Sequence, residues 1–240
     1  MLKKISLFTM LFFLITSSGF LGGINYAVQD KILLKDDKNN SFRTSEAKEI
    51  TPEKALMILK EGNNRFANGR SNHPNQNAER RKKLKTGQYP FAAIISCSDS
   101  RVPLEIIFDQ GIGDLFIIRD AGNIIDDMAL GGIEYAIKYL ESKIIIVLGH
   151  DKCGAVAATL KGGKVPGHIA KIVEQIQPAV DKAKKLSGDT LANAIKENVL
   201  LNVTKVETSE PIIKEFVHKN KIKVVGGIYC FDTGKVDFLK

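Results

Sequence analysis

Cysteine is scarce in this chain, with three residues in 240, too few for a disulfide-stapled scaffold. A chain of this length buries a core without such staples, as one large domain or two small ones. No repeat of solenoid length is visible, which excludes a stacked array. Hydrophobic residues at 44% and charged residues at 26% exclude wholesale disorder and collagen-like sequence. Basic residues cluster densely only at Arg80, Arg81, Lys82, Lys83 and Lys85. No aromatic residues are interleaved there for base stacking and no nucleic-acid motif accompanies them, so the cluster reads as a solvated helix face and nucleic acid is not an expected partner.

The amino terminus runs from basic to apolar to small. Lys3 and Lys4 precede an apolar run at residues 5–15, followed by Thr16, Ser17, Ser18, Gly19, Gly22 and Gly23. This order reads as a signal peptide ending near Ala27. Residues 5–27 are uncharged and long enough to span a bilayer, which leaves a retained anchor as the alternative. On either reading the remainder is exported, to the periplasm or beyond the cell, and a membrane is a partner only if the segment is kept. Removal of residues 1–27 takes away two lysines and no acid, lowering the formal charge from +8 to +6. Residues 28–50 are polar and charged and read as a linker or arm.

The domain proper is expected over residues 51–240. Thr51, Pro52 and Glu53 have the order of a helix start: cap, proline at the first position, acid in the first turn. Apolar runs of strand length follow at residues 91–96, 114–119, 143–149 and 222–229, with a last strand at 236–239. Helical spacing is read at 103–108, 126–141, 169–186, 191–206 and 211–220. In the second of these, Met128, Ile133, Tyr135 and Ile137 are expected in the core. Unbroken apolar strands alternating with helices predict an α/β fold, a mostly parallel central sheet flanked by helices.

The chemistry-bearing residues sit at strand ends. Cys97 follows the first strand and His150 the third, and sites in such sheets form beyond the carboxyl ends of the strands where their order reverses. Cys153 enters a helix through Gly154, where the helix N-terminus favours a thiolate. Two thiolates and an imidazole suit a zinc ion with one open position. Asp99 and Arg101, two residues apart, can reach one locus, with Arg101 holding an ionised Asp99 by a two-pronged hydrogen bond. If Arg101 swings away, Asp99 could itself become a fourth ligand. Spacing alone leaves other readings open: a Cys97–Cys153 disulfide with Cys230 left single, or cysteines that are plain core.

These stretches resemble β-class carbonic anhydrases. The likeness lies in residues 97–101 (CSDSR), 114–123 (DLFIIRDAGN), 133–136 (IEYA), 149–155 (GHDKCGA) and the tail around Gly227, Tyr229 and residues 232–236, and runs from about Thr51 to Lys240. It implies Zn²⁺ on Cys97, His150 and Cys153, and reversible hydration of carbon dioxide to bicarbonate and a proton by a zinc-bound hydroxide that Asp99 orients. It also implies that Gln88, Phe116 and Tyr135 line the substrate pocket, and that the site lies at the interface of a homodimer or larger homo-oligomer. The chain departs from the family pattern at Asp120, where asparagine is frequent, and at Cys230, where an acid is common. His73, His168 and His218 are possible proton relays that nothing distinguishes from surface residues. The rival readings are a hydrolase of the same build acting on carbonyl sulfide or carbon disulfide, and a non-catalytic zinc- or bicarbonate-binding protein with Asp99 permanently on the metal.

Overall fold

The computed structural model describes residues 50–239, so the signal or anchor at 1–27 and nearly all of the 28–50 arm lie outside the described residues. Helix α1 (Pro52–Ala67) begins as its sequence dictates: Thr51 Oγ1 accepts from the Lys54 amide at 3.2 Å, Pro52 supplies a pre-set φ, and Glu53 meets the helix dipole. The basic cluster is largely helix α2 (Ala78–Lys83), capped by Asn77. It is not solvated throughout, because Arg80 binds the Asp114 carboxylate at 2.8 Å and the Ile112 carbonyl at 2.8 Å.

The alternating part then runs β1 (Ala92–Ser96), α3 (Leu104–Ile107), β2 (Leu115–Arg119), α4 (Asp127–Lys138), β3 (Ile144–His150), α5 (Gly154–Lys161), α6 (Ile169–Ala183), α7 (Thr190–Glu207), α8 (Ile212–His218), β4 (Lys223–Tyr229) and β5 (Val236–Leu239). The strands form one sheet in the order β2-β1-β3-β4-β5. The first four are parallel and β5 returns antiparallel to β4.

Strand periodicity of two divides the core. Ala92, Ile94, Ile144, Ile146 and Leu148 face one layer with Ala55 and Leu59 of α1 and Leu104 and Ile107 of α3. Ala93, Ile95, Ile145 and Val147 face the other, with Ile133 and Ile137 of α4, Val199 and Val206 of α7 and Ile213 of α8. Both faces of the central strands are therefore dry, and each fully buried isoleucine contributes roughly 1.5–3 kcal/mol of transfer free energy. The expectation that Met128 and Tyr135 are core is corrected: Met128 is 83% exposed and Tyr135 40%. The buried stripe of α4 is Ala129, Ile133, Ala136 and Ile137. Met128 and Tyr135 share a flank roughly 135° around the helix from the centre of that stripe.

From β1 the chain moves to one side to form β2 and then returns to the other side of β1 to form β3, so the order reverses between β1 and β3. Ser96 is in register with Leu148, which brings the residue after β1 beside the end of β3. Helix α7 lies close over this end of the sheet, because Gly149 and Gly226 carry no Cβ. One built there would come within 2.7 and 2.8 Å of the Val199 methyls. Among the described residues no helix is long and apolar enough to cross a membrane.

Candidate active site

At the reversal point Cys97, His150 and Cys153 converge. All three are buried, and one ligand atom from each lies within 4.8 Å of the others. Cys97, Cys153 and Cys230 are free thiols. His150 closes β3, and its Nδ1 lies 2.8 Å from the Asp151 carbonyl, to which it donates as Nδ1–H. Its Nε2 is buried without a hydrogen-bond partner. A buried lone pair left unpaired is costly, and here it faces two sulfurs. That orphaned nitrogen, with a soft donor pair at a spacing a single ion can bridge, fits a tetrahedral metal with one position left for another oxygen.

The two sulfurs differ. Cys97 Sγ accepts from the Gly122 amide at 3.2 Å. The contact from Cys153 is the largest influence lowering the Cys97 pKa, with His150 and the Gly122 amide adding to it. The same contact raises Cys153, reinforced by burial, although the Ala155 and Val156 amides at the start of α5 pull the other way. Burial pulls His150 down, but the Cys97 sulfur, the Asp151 carbonyl and Asp99 outweigh it and raise its pKa.

Asp99 stands beside this cluster, with Oδ2 3.8 Å from His150 Nε2. Arg101 holds it from three atoms: Nε at 2.9 Å and the backbone amide at 3.0 Å on Oδ1, and Nη2 at 2.8 Å on Oδ2. This pairing keeps the Asp99 carboxyl well below the usual carboxylate range. The Arg101 guanidinium lies 4.2 Å from the centre of the Phe231 ring, which packs against His150 at 5.3 Å. Phe231 is fixed in turn, since its amide donates to Asp151 Oδ1 at 3.1 Å. On the other side, Arg119 Nε and Nη2 donate to the Cys97 carbonyl at 3.0 and 2.8 Å, and Nη2 also to the Asp99 carbonyl at 2.6 Å.

Three of the expected pocket residues lie elsewhere in the chain. Gln88 is exposed in the stretch leading into β1, at the opposite end of that strand from Cys97. Phe116 is in register with Ala93, four residues before Cys97, or roughly 13 Å along the strand. Its ring lies 6.2 Å from that of Tyr135, which continues to Tyr139 at 5.6 Å. They form an aromatic row beside the outer strand β2, and the single chain does not bring them to the metal cluster.

Sequence reasoning did not single out Arg119, Asp151 or Phe231 as site residues. Arg119 acts through carbonyls 20 and 22 residues away and Asp151 through its own carbonyl on His150 and the distant Phe231 amide, backbone contacts that no spacing rule reveals. Lys152 approaches Asp232 at 3.5 Å beside Asp151 and Cys230, so the acidic grouping there already has a cation.

The carbonic anhydrase family model matches residues 92–236. Carbonic anhydrase 2 of Mycobacterium tuberculosis is 40% identical over 188 residues, 77% of this chain and 91% of that protein. The carbonic anhydrase of Mycolicibacterium smegmatis is 40% identical over 190 residues, 78% of this chain and 92% of that protein. Among solved structures, the β-carbonic anhydrase CcaA is 33% identical with a TM-score of 0.61, covering 77% of this chain and 95% of that one. A tetrameric β-carbonic anhydrase of Sordaria macrospora is 25% identical with a TM-score of 0.63, covering 77% and 96%. The family model over residues 92–236, relatives 40% identical over more than three quarters of the chain and β-carbonic anhydrase structures of like fold lead to one conclusion: this chain belongs to the β-carbonic anhydrase family.

Proposed function

We propose that the chain hydrates carbon dioxide reversibly to bicarbonate and a proton, using Zn²⁺ held by Cys97, His150 and Cys153. The observation that carries this reading is the ionised, doubly anchored Asp99 carboxylate beside three converging metal donors. Bound zinc supplies Lewis acidity, lowering the pKa of a water so that a nucleophile exists near neutral pH.

The protein's own groups do the rest. Asp99 Oδ2 has no proton of its own at neutral pH, because Arg101 holds its pKa down, so it accepts a hydrogen bond from the attacking oxygen and turns a lone pair of that oxygen toward the substrate carbon. Arg101 keeps the carboxylate from rotating, and Phe231 supports the guanidinium from beneath. The His150–Asp151 contact fixes the tautomer that leaves Nε2 free for the metal. Activity is expected to rise with pH, and the rise does not come from Asp99, which is ionised well below that range.

Gln88, Phe116 and Tyr135 are assigned to the substrate pocket of a partner copy within a homo-oligomer. The aromatic row beside the outer strand β2 and the tetrameric relative support this arrangement. Export is inferred from the basic, apolar and small-residue order of residues 1–27. Arg101's engagement of both Asp99 oxygens argues against a permanently metal-bound Asp99, and hence against a non-catalytic role.

The test is a stopped-flow carbon dioxide hydration assay on protein from residue 28 onward, before and after a chelator. Chelator-sensitive hydration restored by zinc is expected. Zinc-loaded protein without hydration, or hydration indifferent to chelation, would overturn the reading.

A further inference from the structure

Helix α7 presents three side-chain donors along one face, at the i, i+4 and i+7 spacing that aligns residues on a helix. All three grip the short turn after β2. Asn198 Nδ2 donates to the Gly122 carbonyl at 2.8 Å, Asn202 Nδ2 to the Asn123 carbonyl at 3.3 Å, and Lys205 Nζ to the Ile125 carbonyl. The Gly122 amide, in turn, donates to Cys97 Sγ. One glycine therefore couples a helix 76 residues away to a metal-binding sulfur.

Two features tie this turn to its surroundings. Gly122 adopts a φ of +74°, and a Cβ there would come within 2.5 Å of Ile176 Cδ1. The turn is thus shaped for a bare backbone packed under α6. Asn198 is almost fully buried, between Ile195 and Val199 in sequence, which are themselves buried in the core. Burying an amide there costs free energy unless it is paired, and Gly122 is the backbone group that pairs it.

We propose that Asn198 is a positioning residue for the metal centre: by anchoring the Gly122 carbonyl it fixes the backbone whose Gly122 N–H donates to Cys97 Sγ, holding that sulfur in register with His150 and Cys153. Asn202 and Lys205 fix the same turn farther from the sulfur and contribute less. The inference rests on the zinc reading above, and its test separates the two.

Zinc-loaded wild type, Asn198→Leu and Asn202→Ala would be mixed with a chromogenic chelator and the release rate followed. The melting temperature of each metal-free protein and the ¹¹³Cd resonance of each cadmium-substituted form would be recorded alongside. Leucine keeps the helix and its apolar packing but leaves the Gly122 carbonyl unpaired, so the metal-free Asn198→Leu protein is expected to melt below wild type, and release is compared at a temperature where both are folded. Zinc release is expected to quicken roughly 10-fold, in the range seen when groups behind metal ligands are removed, and the cadmium resonance to move. Asn202→Ala is expected to quicken release by less than Asn198→Leu does. Wild-type release rates and an unmoved cadmium resonance in Asn198→Leu would overturn the proposal. If that variant does not fold, unchanged release from Asn202→Ala would do so. Failure of wild type to take up zinc would instead overturn the zinc reading.

Discussion

The two strand ends that meet at the metal cluster are built differently. The β3 end is local: His150 and Cys153 are three residues apart, the imidazole is set by the next residue's carbonyl, and Cys153 is held at the start of its own helix. The β1 end is assembled from afar. Cys97 and its loop are held by Arg119 and Gly122, over 20 residues away, and through Gly122 by Asn198 on α7. The β3 end also receives Phe231 from far along the chain, against the His150 ring and the Asp151 carboxylate, but its ligands are set first by their own turn, whereas the Cys97 loop has no such local frame.

Removing a ligand should erase the contrast. Cys97→Ser and Cys153→Ser should both weaken zinc binding by more than the ~100-fold upper range for groups behind the ligands, read as metal per chain after dialysis; a full equivalent in both would refute the ligand set. Next, Asp99→Ala should lower hydration by ~10²–10⁴-fold, the range for a positioned proton acceptor, with zinc retained. Turnover close to wild type would remove Asp99 from the mechanism.

The remaining changes sharpen the comparison. Arg119→Met strips three hydrogen bonds from the β1 end and should raise zinc loss roughly 10-fold. Phe231→Leu removes the face under Arg101, worth about 0.5–1 kcal/mol at an exposed site, and should cost a few-fold in kcat/KM while zinc release changes less than in Arg119→Met. Equal zinc loss in both variants would contradict the division of labour.

Asp109 provides a control outside the metal cluster. Burial would raise its pKa, but the Asn72 and His73 amides and Arg65 at 2.6 Å outweigh it and hold the carboxyl below its ordinary value. Its contribution to stability is therefore full above the unfolded aspartate pKa of about 3.9 and is lost as pH falls through the folded value. Asp109→Asn should flatten that acid-side loss in denaturation curves at pH 7 and pH 3 and leave zinc release unaltered.

Much of this was legible in the sequence. The parallel sheet follows from four apolar runs, and the α1 start from Thr51, Pro52 and Glu53. Cys97, His150, Cys153, Asp99 and Arg101 stand at strand ends or two residues apart, which is information a linear chain carries. Met128 and Tyr135 were misjudged because apolar character alone does not say which flank of a helix meets the sheet. Arg119, Asp151 and Asn198 escaped notice because their partners are backbone carbonyls and amides, present at every residue and distinguished only by the fold. The pocket roles of Phe116 and Tyr135 were expected only from the likeness to the family, and their distance from Cys97 within one chain depends on strand register.

The most direct test of the metal centre is X-ray absorption at the zinc edge on protein from residue 28 onward, compared with Cys97→Ser. The expected shell is two sulfurs at about 2.3 Å with one nitrogen and one further oxygen near 2.0–2.2 Å, reduced to one sulfur or to no bound zinc in the variant. A wild-type shell without sulfur, or one with two sulfurs that survives the loss of Cys97, would contradict it.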